Sequence, residues 1–228
     1  LKNRDILNGY LVTLIVLACG TALSIRLTLM GGYVLSRKRL LWKNPIMLLI
    51  TFTMFFNGGM IPTYMVVRAL GLMDNILALF LPSAISVFNL IIVRTCMAEL
   101  PDAIVESAHI DGAGHLTILF RIVAPVSMAS IAVIALFYAV GYWNSWLPAL
   151  MYIRKRELFP LQLILREILV NSQMQSGMSG YLDTDQIDYF KPLVKYCTIV
   201  VSTLPVLFVY PFLQKYFVNG VMIGSVKG

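Results

Sequence analysis

Charge is scarce in this sequence. Of its 228 residues only 13% are Asp, Glu, Lys or Arg, about half of the ~25% usual for a soluble domain. With 59% hydrophobic residues and a mean hydropathy of +0.81, the chain has too little polar surface to cover a folded unit in water. A bilayer is the better solvent. Histidine is nearly absent: only His109 and His115 occur. The cysteines, Cys19, Cys96 and Cys197, stand apart in apolar runs, at no metal-ligand or redox spacing. This argues against a metal centre and reads the cysteines as small buried hydrophobes. No Gly-x-x-x-x-Gly-Lys-Ser/Thr loop is present, so the chain is not expected to bind ATP itself. No Ser/His/Asp set or carboxylate pair marks a catalytic centre. The net charge of +7 comes from scattered Lys and Arg. That pattern suits loops beside a membrane, not nucleic-acid binding.

What is abundant is long apolar sequence. Segments near the ~20 residues needed to cross a bilayer run over about 9–35, 45–67, 76–98, 122–142 and 193–213. Continuous helices are expected, because lipid offers no partner to backbone polar groups. Two longer, more polar connections, 99–121 and 148–192, are the candidate functional loops. The positive-inside rule does not decide orientation by count. Arg37, Lys38, Arg39, Lys43, Arg94, Arg121, Lys215 and Lys227 fall on one side. Lys2, Arg4, Arg68, Arg154, Lys155, Arg156, Arg166 and Lys191 fall on the other. The dense cluster in the short 36–44 loop favours that side as cytoplasmic.

The 99–121 connection carries the strongest pattern. Pro101 is placed to open a helix, and Gly112 and Gly114 to end one. At 100° per residue, Asp102, Glu106 and His109 share a ridge, while Ile104, Val105 and Ala108 form an apolar arc. A short acidic amphipathic helix with small neighbours suits a groove on a protein partner.

In Glu106-Ser107-Ala108, Asp111-Gly112-Ala113, Phe120, Ile122 and Pro125, the loop resembles the EAA loop of ABC-import permeases. Ser107 stands where the first Ala is usual, and Ala124 where Leu is usual. The likeness extends through "MFFNGGMIPTYMVVRALGLMDN", "NLIIVRT", "FYAVGYWNSW" and "QKYFVNGVMIGSVKG", which are similar to carbohydrate-uptake permeases. The LplC-type branch for oligo- and polysaccharides is most similar, with an alginate-oligosaccharide importer as one specific candidate. The resemblance implies an all-α fold, a polytopic transmembrane helical bundle of the type I ABC-importer permease kind. It implies a multi-pass protein of the bacterial cytoplasmic (inner) membrane, whose first helix would precede Leu1. The implied partners are a second homologous permease, two ATPase subunits that hold ATP and Mg, and an external or periplasmic solute-binding protein. Glu106, Ser107, Ala108, Asp111, Gly112 and Ala113 would couple to the ATPase. Tyr181, Asp183 and Asp185 would approach the binding protein. The same loop occurs in importers of other solutes, such as phosphate or amino acids. An ion-coupled carrier or channel is the rival of a different class.

Some residues within the apolar segments are candidates for the substrate path. Arg26 is a charge inside the first span, costly unless it lines a wet path or pairs within the bundle. Asn57, Asn89 and Asn144 offer amides, although interhelical bonding is their commoner use. Tyr142, with Trp143 and Trp146, ends the fourth span. Such rings stack on sugars, but an aromatic belt at the membrane interface is the more ordinary role. Arg154-Lys155-Arg156 is a basic run suited to an acidic sugar, an acidic protein face or lipid headgroups.

Overall fold

A computed structural model of the chain describes residues 4–38, 40–178, 193 and 196–207. All regular structure among them is helical. Helix α1, Arg4–Ser36, has 33 residues and is about 50 Å long, longer than the ~30 Å hydrocarbon layer. It is the axis of the bundle. Its buried face is a run of small residues: Gly9, Thr13, Gly20, Ser24, Thr28 and Gly32. They recur at helical spacing and let neighbouring elements approach closely, as in membrane bundles generally. A Cβ added at Gly20 would lie 3.0 Å from Phe80 and from the Tyr142 ring.

The second, third and fourth apolar segments are broken, unlike the continuous helices expected. Helices α2, Lys43–Phe55, and α3, Met60–Ala69, meet at 109°. Between them Asn57 Oδ1 accepts the Gly59 N–H at 2.9 Å, and Gly59 has φ +88°. The third segment begins with a single 3-10 turn, Ile76–Leu79, followed by irregular backbone; only Val87–Ala98 is α-helix (α4). Its 12 residues make about 18 Å. Helix α5, Asp102–Ile110, precedes α6, His115–Val126, which contains a π-turn at Leu119–Val123. A 91° bend at Ser127 then leads into α7, Met128–Trp143. Pro125 lies just before this bend and has no N–H to continue a ladder.

Irregular backbone at membrane depth needs partners from within the protein. Two tyrosines of α7 supply them. The Tyr142 hydroxyl donates to the Phe80 carbonyl at 3.4 Å and bonds Ser24 Oγ at 2.8 Å. The Tyr138 hydroxyl accepts the Ser86 N–H at 3.0 Å and bonds Thr28 Oγ1 at 2.7 Å.

The 148–192 connection is not simply a loop. It holds α8, Leu147–Tyr152, extending one residue beyond its start, and α9, Leu161–Met178. Leu161, Leu163, Ile164 and Leu165 are buried, and the Leu161 N–H donates to Thr13 Oγ1 at 2.9 Å. Helix α10, Tyr196–Leu207, receives the Trp143 Nε1–H at the Ser202 carbonyl, 3.2 Å away. Trp143 is therefore an internal packing residue, not part of an aromatic belt, because its indole N–H finds its partner inside the bundle. Trp146 is half-buried, with the Arg166 guanidinium 3.4 Å above its ring. Contrary to expectation, Cys19 and Cys197 are exposed on the bundle surface and Cys96 is half-buried. A thiol in an apolar run sits as readily against lipid as in a core.

Large apolar side chains such as Leu48, Leu49, Phe55 and Ile61 are exposed, and α2 buries none of its residues. In water this would be an association surface; in a bilayer it is the solvated one.

Candidate functional site: the α5 helix and its cleft

Helix α5 is defined at both ends. Asp102 in its first turn accepts from Lys38 Nζ at 2.7 Å, linking it to the end of α1. The bond to Asp102 and its charge, with a smaller contribution from Glu106, raise the Lys38 pKa above 10.5 against slight desolvation. A lysine pKa raised on folding contributes stability below its ordinary value and loses it only as pH rises through the folded one. The contact is therefore intact throughout the neutral range. At the other end, the Gly112 N–H donates to the His109 carbonyl at 3.0 Å and the Ala113 N–H to the Ala108 carbonyl at 2.9 Å. Gly112 has φ +81°. This is a Schellman turn with glycine in the left-handed position. Asp111-Gly112-Ala113 is thus the local instruction that ends α5 and turns the chain into α6.

Val105 and Ala108 are buried against Leu29, Tyr33, Met97, Ile118 and Leu119, and Ala113 packs on the same cluster. The opposite face carries Glu106, Ser107 and His109, all exposed, and Ile110 is 86% exposed. Of the six residues singled out in the motif, Glu106, Ser107, Asp111 and Gly112 are on the surface. Ala108 and Ala113 hold the loop to the bundle. Between α5, α6 and the end of α1 lies an open cleft of about 720 Å³, lined by Tyr33, Arg37, Lys38, Asp102, Glu106 and His115 among others. His109 and His115 meet edge to face at 4.7 Å. Tyr33 Oη lies 3.4 Å from His115 Nδ1, and the Arg37 guanidinium stacks 4.6 Å over the Tyr33 ring. Mixed charge around an apolar floor suits a protein surface. Among the described residues no group of three or more His, Cys, Asp or Glu is arranged to hold a metal.

The candidate path residues separate. Asn89 and Tyr142 are brought together in a groove of about 550 Å³ at the other end of α4. Asn57 is engaged in the α2–α3 break. Asn144, exposed, donates to the Val140 carbonyl at 3.0 Å. Arg26 is exposed on the outer face of α1. Tyr181, Asp183 and Asp185 lie outside the described residues.

Sequence reading missed Asp74. With φ +56°, it accepts the Arg154 N–H and, at 3.2 Å, the Lys155 N–H, while its own N–H donates to the Tyr152 carbonyl at 3.0 Å. Those amide bonds, the Arg154 one foremost, hold its carboxyl below the ordinary 3.8. The basic run is thereby fixed in place. Within it, Arg156 is tied back to Asp5 at 2.9 Å and Glu167 at 3.4 Å. The signal for Asp74 was its position in an Asp-Asn turn, which says nothing of so distant a partner.

No protein-family model matches the chain. It is 46% identical, over 99% of its length and 79% of the relative's, to the polygalacturonan/rhamnogalacturonan transport system permease protein YtcP of Bacillus subtilis. It is 42% identical to Protein LplC of the same organism, covering 95% of this chain and 73% of that one. Among solved structures it resembles a bacterial ABC transporter involved in the import of the acidic polysaccharide alginate. That match has a TM-score of 0.82 at 29% identity, covering 95% of this chain and 76% of the other. The apolar broken-helix bundle, the capped acidic helix between its segments and these relatives agree: the chain belongs to the permease family of ABC-type carbohydrate importers.

Proposed function

We propose that this permease works in the bacterial cytoplasmic membrane as one half of the path for oligosaccharides released from acidic polysaccharides of the polygalacturonan or rhamnogalacturonan kind. A second homologous permease forms the other half. Two separate ATPase subunits hold ATP and Mg and grip α5. An external solute-binding protein delivers the sugar and docks on the segment containing Tyr181, Asp183 and Asp185. Glu106, Ser107, Asp111 and Gly112 present the coupling surface, with Ala108 and Ala113 as its anchor. This orientation places the α5 end in the cytoplasm and Arg154-Lys155-Arg156 outside.

The observation that carries the reading is the exposed acidic helix, tied to α1 through Lys38, ended by the Gly112 turn and packed on the bundle by Val105 and Ala108, in a chain 46% identical to a polysaccharide permease. A helix tied to α1 at its first turn and packed on the bundle through Val105, Ala108 and Ala113 transmits displacement instead of bending. ATP-driven closure of the ATPases then shifts the equilibrium between two states of the bundle, as coupling requires.

The test is purification of the tagged chain from its native membrane, then reconstitution with its co-purifying subunits and binding protein. Expected are a P-loop ATPase, a second permease, and ATP-dependent uptake of trigalacturonate. Uptake that follows an ion gradient and survives removal of the ATPase would establish an ion-coupled carrier instead.

A further inference from the structure

The groove beside Asn89 exists because a helix is missing there. The chain between Leu79 and Ser86 leaves helical geometry, and the Tyr138 and Tyr142 hydroxyls satisfy its Ser86 N–H and Phe80 carbonyl. Non-helical backbone at membrane depth is stable where it is buried in protein or lines a wet cavity. Both tyrosine hydroxyls are engaged, so these residues wall the groove with their rings, stacked at 6.5 Å and 18°. Phe88 and Phe137 add a second aromatic pair, with centroids 6.1 Å apart.

Asn89 is the exception to this completeness. It is 3% exposed, and its backbone N–H is used by the Ser86 hydroxyl. Among the described residues its carboxamide has no hydrogen-bond partner. Nor is that group sealed off: the fully occluded side-chain atoms without partners, among the described residues, are Thr21 Oγ1, Arg94 Nε and Ser127 Oγ. A buried amide open to a groove, left without a partner, is destabilising unless something occupies the site. Lipid tails offer nothing to it. Among the described residues no Lys, Arg, His, Asp or Glu lines the groove, and a charged occupant finds no counterion among them.

We propose that this groove is a subsite for an uncharged part of the transported sugar, its hydroxyls bonded by Asn89 and its C–H face against the aromatic walls. The proposal rests on the carbohydrate reading above and deepens it. This half of the path would hold the sugar by ring and hydroxyls, the features that acidic and neutral sugars share. Aromatic walls with a few placed polar groups, here Asn89 with Ser83, Ser86 and Ser145, are the usual make-up of a small-molecule site.

The test uses the complete reconstituted transporter with two probes of equal length, trigalacturonate and its fully methyl-esterified, uncharged form. Asn89→Leu should lower kcat/KM for uptake of both by a similar factor, about 3–10-fold, the worth of one neutral hydrogen bond. In a background with Cys19, Cys96 and Cys197 replaced by alanine, Ser145→Cys on the same groove should react with a methanethiosulfonate reagent. Either probe should slow that reaction during turnover. If Asn89→Leu does not accumulate, this protection decides the matter alone. Unchanged uptake by Asn89→Leu, or no protection at position 145, overturns the subsite. Loss of the second permease from the Asn89→Leu complex also overturns it, since the groove would then be a subunit contact. A loss confined to trigalacturonate overturns it in favour of carboxylate recognition. If the wild type carries neither probe, the galacturonan reading of the proposed function fails.

Discussion

Gly32 of α1 lies so close to α4 that a Cβ on it would stand 2.7 Å from Val93 Cγ1 and 3.3 Å from the Arg94 backbone nitrogen. Val93 is itself buried and β-branched, so it has little freedom to move aside. Gly32→Ala is expected to destabilise the bundle by about 1–3 kcal/mol through overpacking. Gly141→Ala, whose Cβ would meet nothing within 4 Å, should be neutral or stabilise by up to about 1 kcal/mol, the helix preference of Ala over Gly. Thermal unfolding of the purified complex in detergent compares the two. Equal melting temperatures would show that the helices separate freely at this crossing.

Gly112 is the left-handed residue of the turn after α5. Gly112→Ala should cost about 1–2 kcal/mol locally, and Gly112→Asn less, since Asn tolerates this conformation. Hydrogen exchange at the Ala113 amide should accelerate in that order, and ATP-driven uptake should fall with it, while membrane insertion persists. Uptake at the wild-type rate in Gly112→Ala would separate the turn from transport.

Glu106 lines the same cleft as Arg37 and Lys38. Glu106→Lys adds a third cation there and reverses the charge offered to a partner. The ATP hydrolysed per sugar imported should rise by about tenfold or more, because the helix no longer passes the ATPase motion to the bundle, with Glu106→Gln intermediate. Measuring hydrolysis and uptake on the same vesicles checks this. An unchanged ratio in Glu106→Lys would remove Glu106 from the coupling surface.

Asp74 gives a pH dependence whose sign follows from its amide bonds. Its carboxyl is held below 3.8 in the folded chain. The stabilisation is therefore fully present above that value and is lost as pH falls through the lower, folded pKa. Exchange at the Arg154 and Lys155 amides should be slow near neutrality and lose protection only below about pH 3.8. Asp74→Ala should lose protection at every pH, and Asp74→Asn should keep part of it without the acid transition. Protection in Asp74→Ala equal to wild type would show that other groups hold this segment.

Much of the organisation was legible in the residues. The acidic ridge of α5 and its glycine terminus are local properties, set by 100° spacing and by a left-handed turn. The interruptions of α2–α3 and of the stretch before α4 were less legible. A hydropathy run reports that a segment is apolar, not that it is helical. Gly58-Gly59 and Pro82 were the breaking signals, outweighed by the rule that lipid-facing backbone must be helical. That rule gives way where partners come from elsewhere in the chain, here Tyr138 and Tyr142, which no local pattern links to Ser86 and Phe80. The packing role of Trp143 was hidden for the same reason, since its acceptor at Ser202 is 59 residues away. Asn89 was legible only as an amide among three. Its isolation became visible once Asn57 and Asn144 were seen to bond their own neighbours.

A single phenolic oxygen, that of Tyr138, joins Thr28 on α1 to the Ser86 amide at the head of α4. If α7 tilts, it must take both along or break two bonds. These pieces therefore behave as one stiff lever, and flexing is left to the corners at Ser127 and at Phe56–Gly59. Any rearrangement of the bundle would then be concentrated at those two corners.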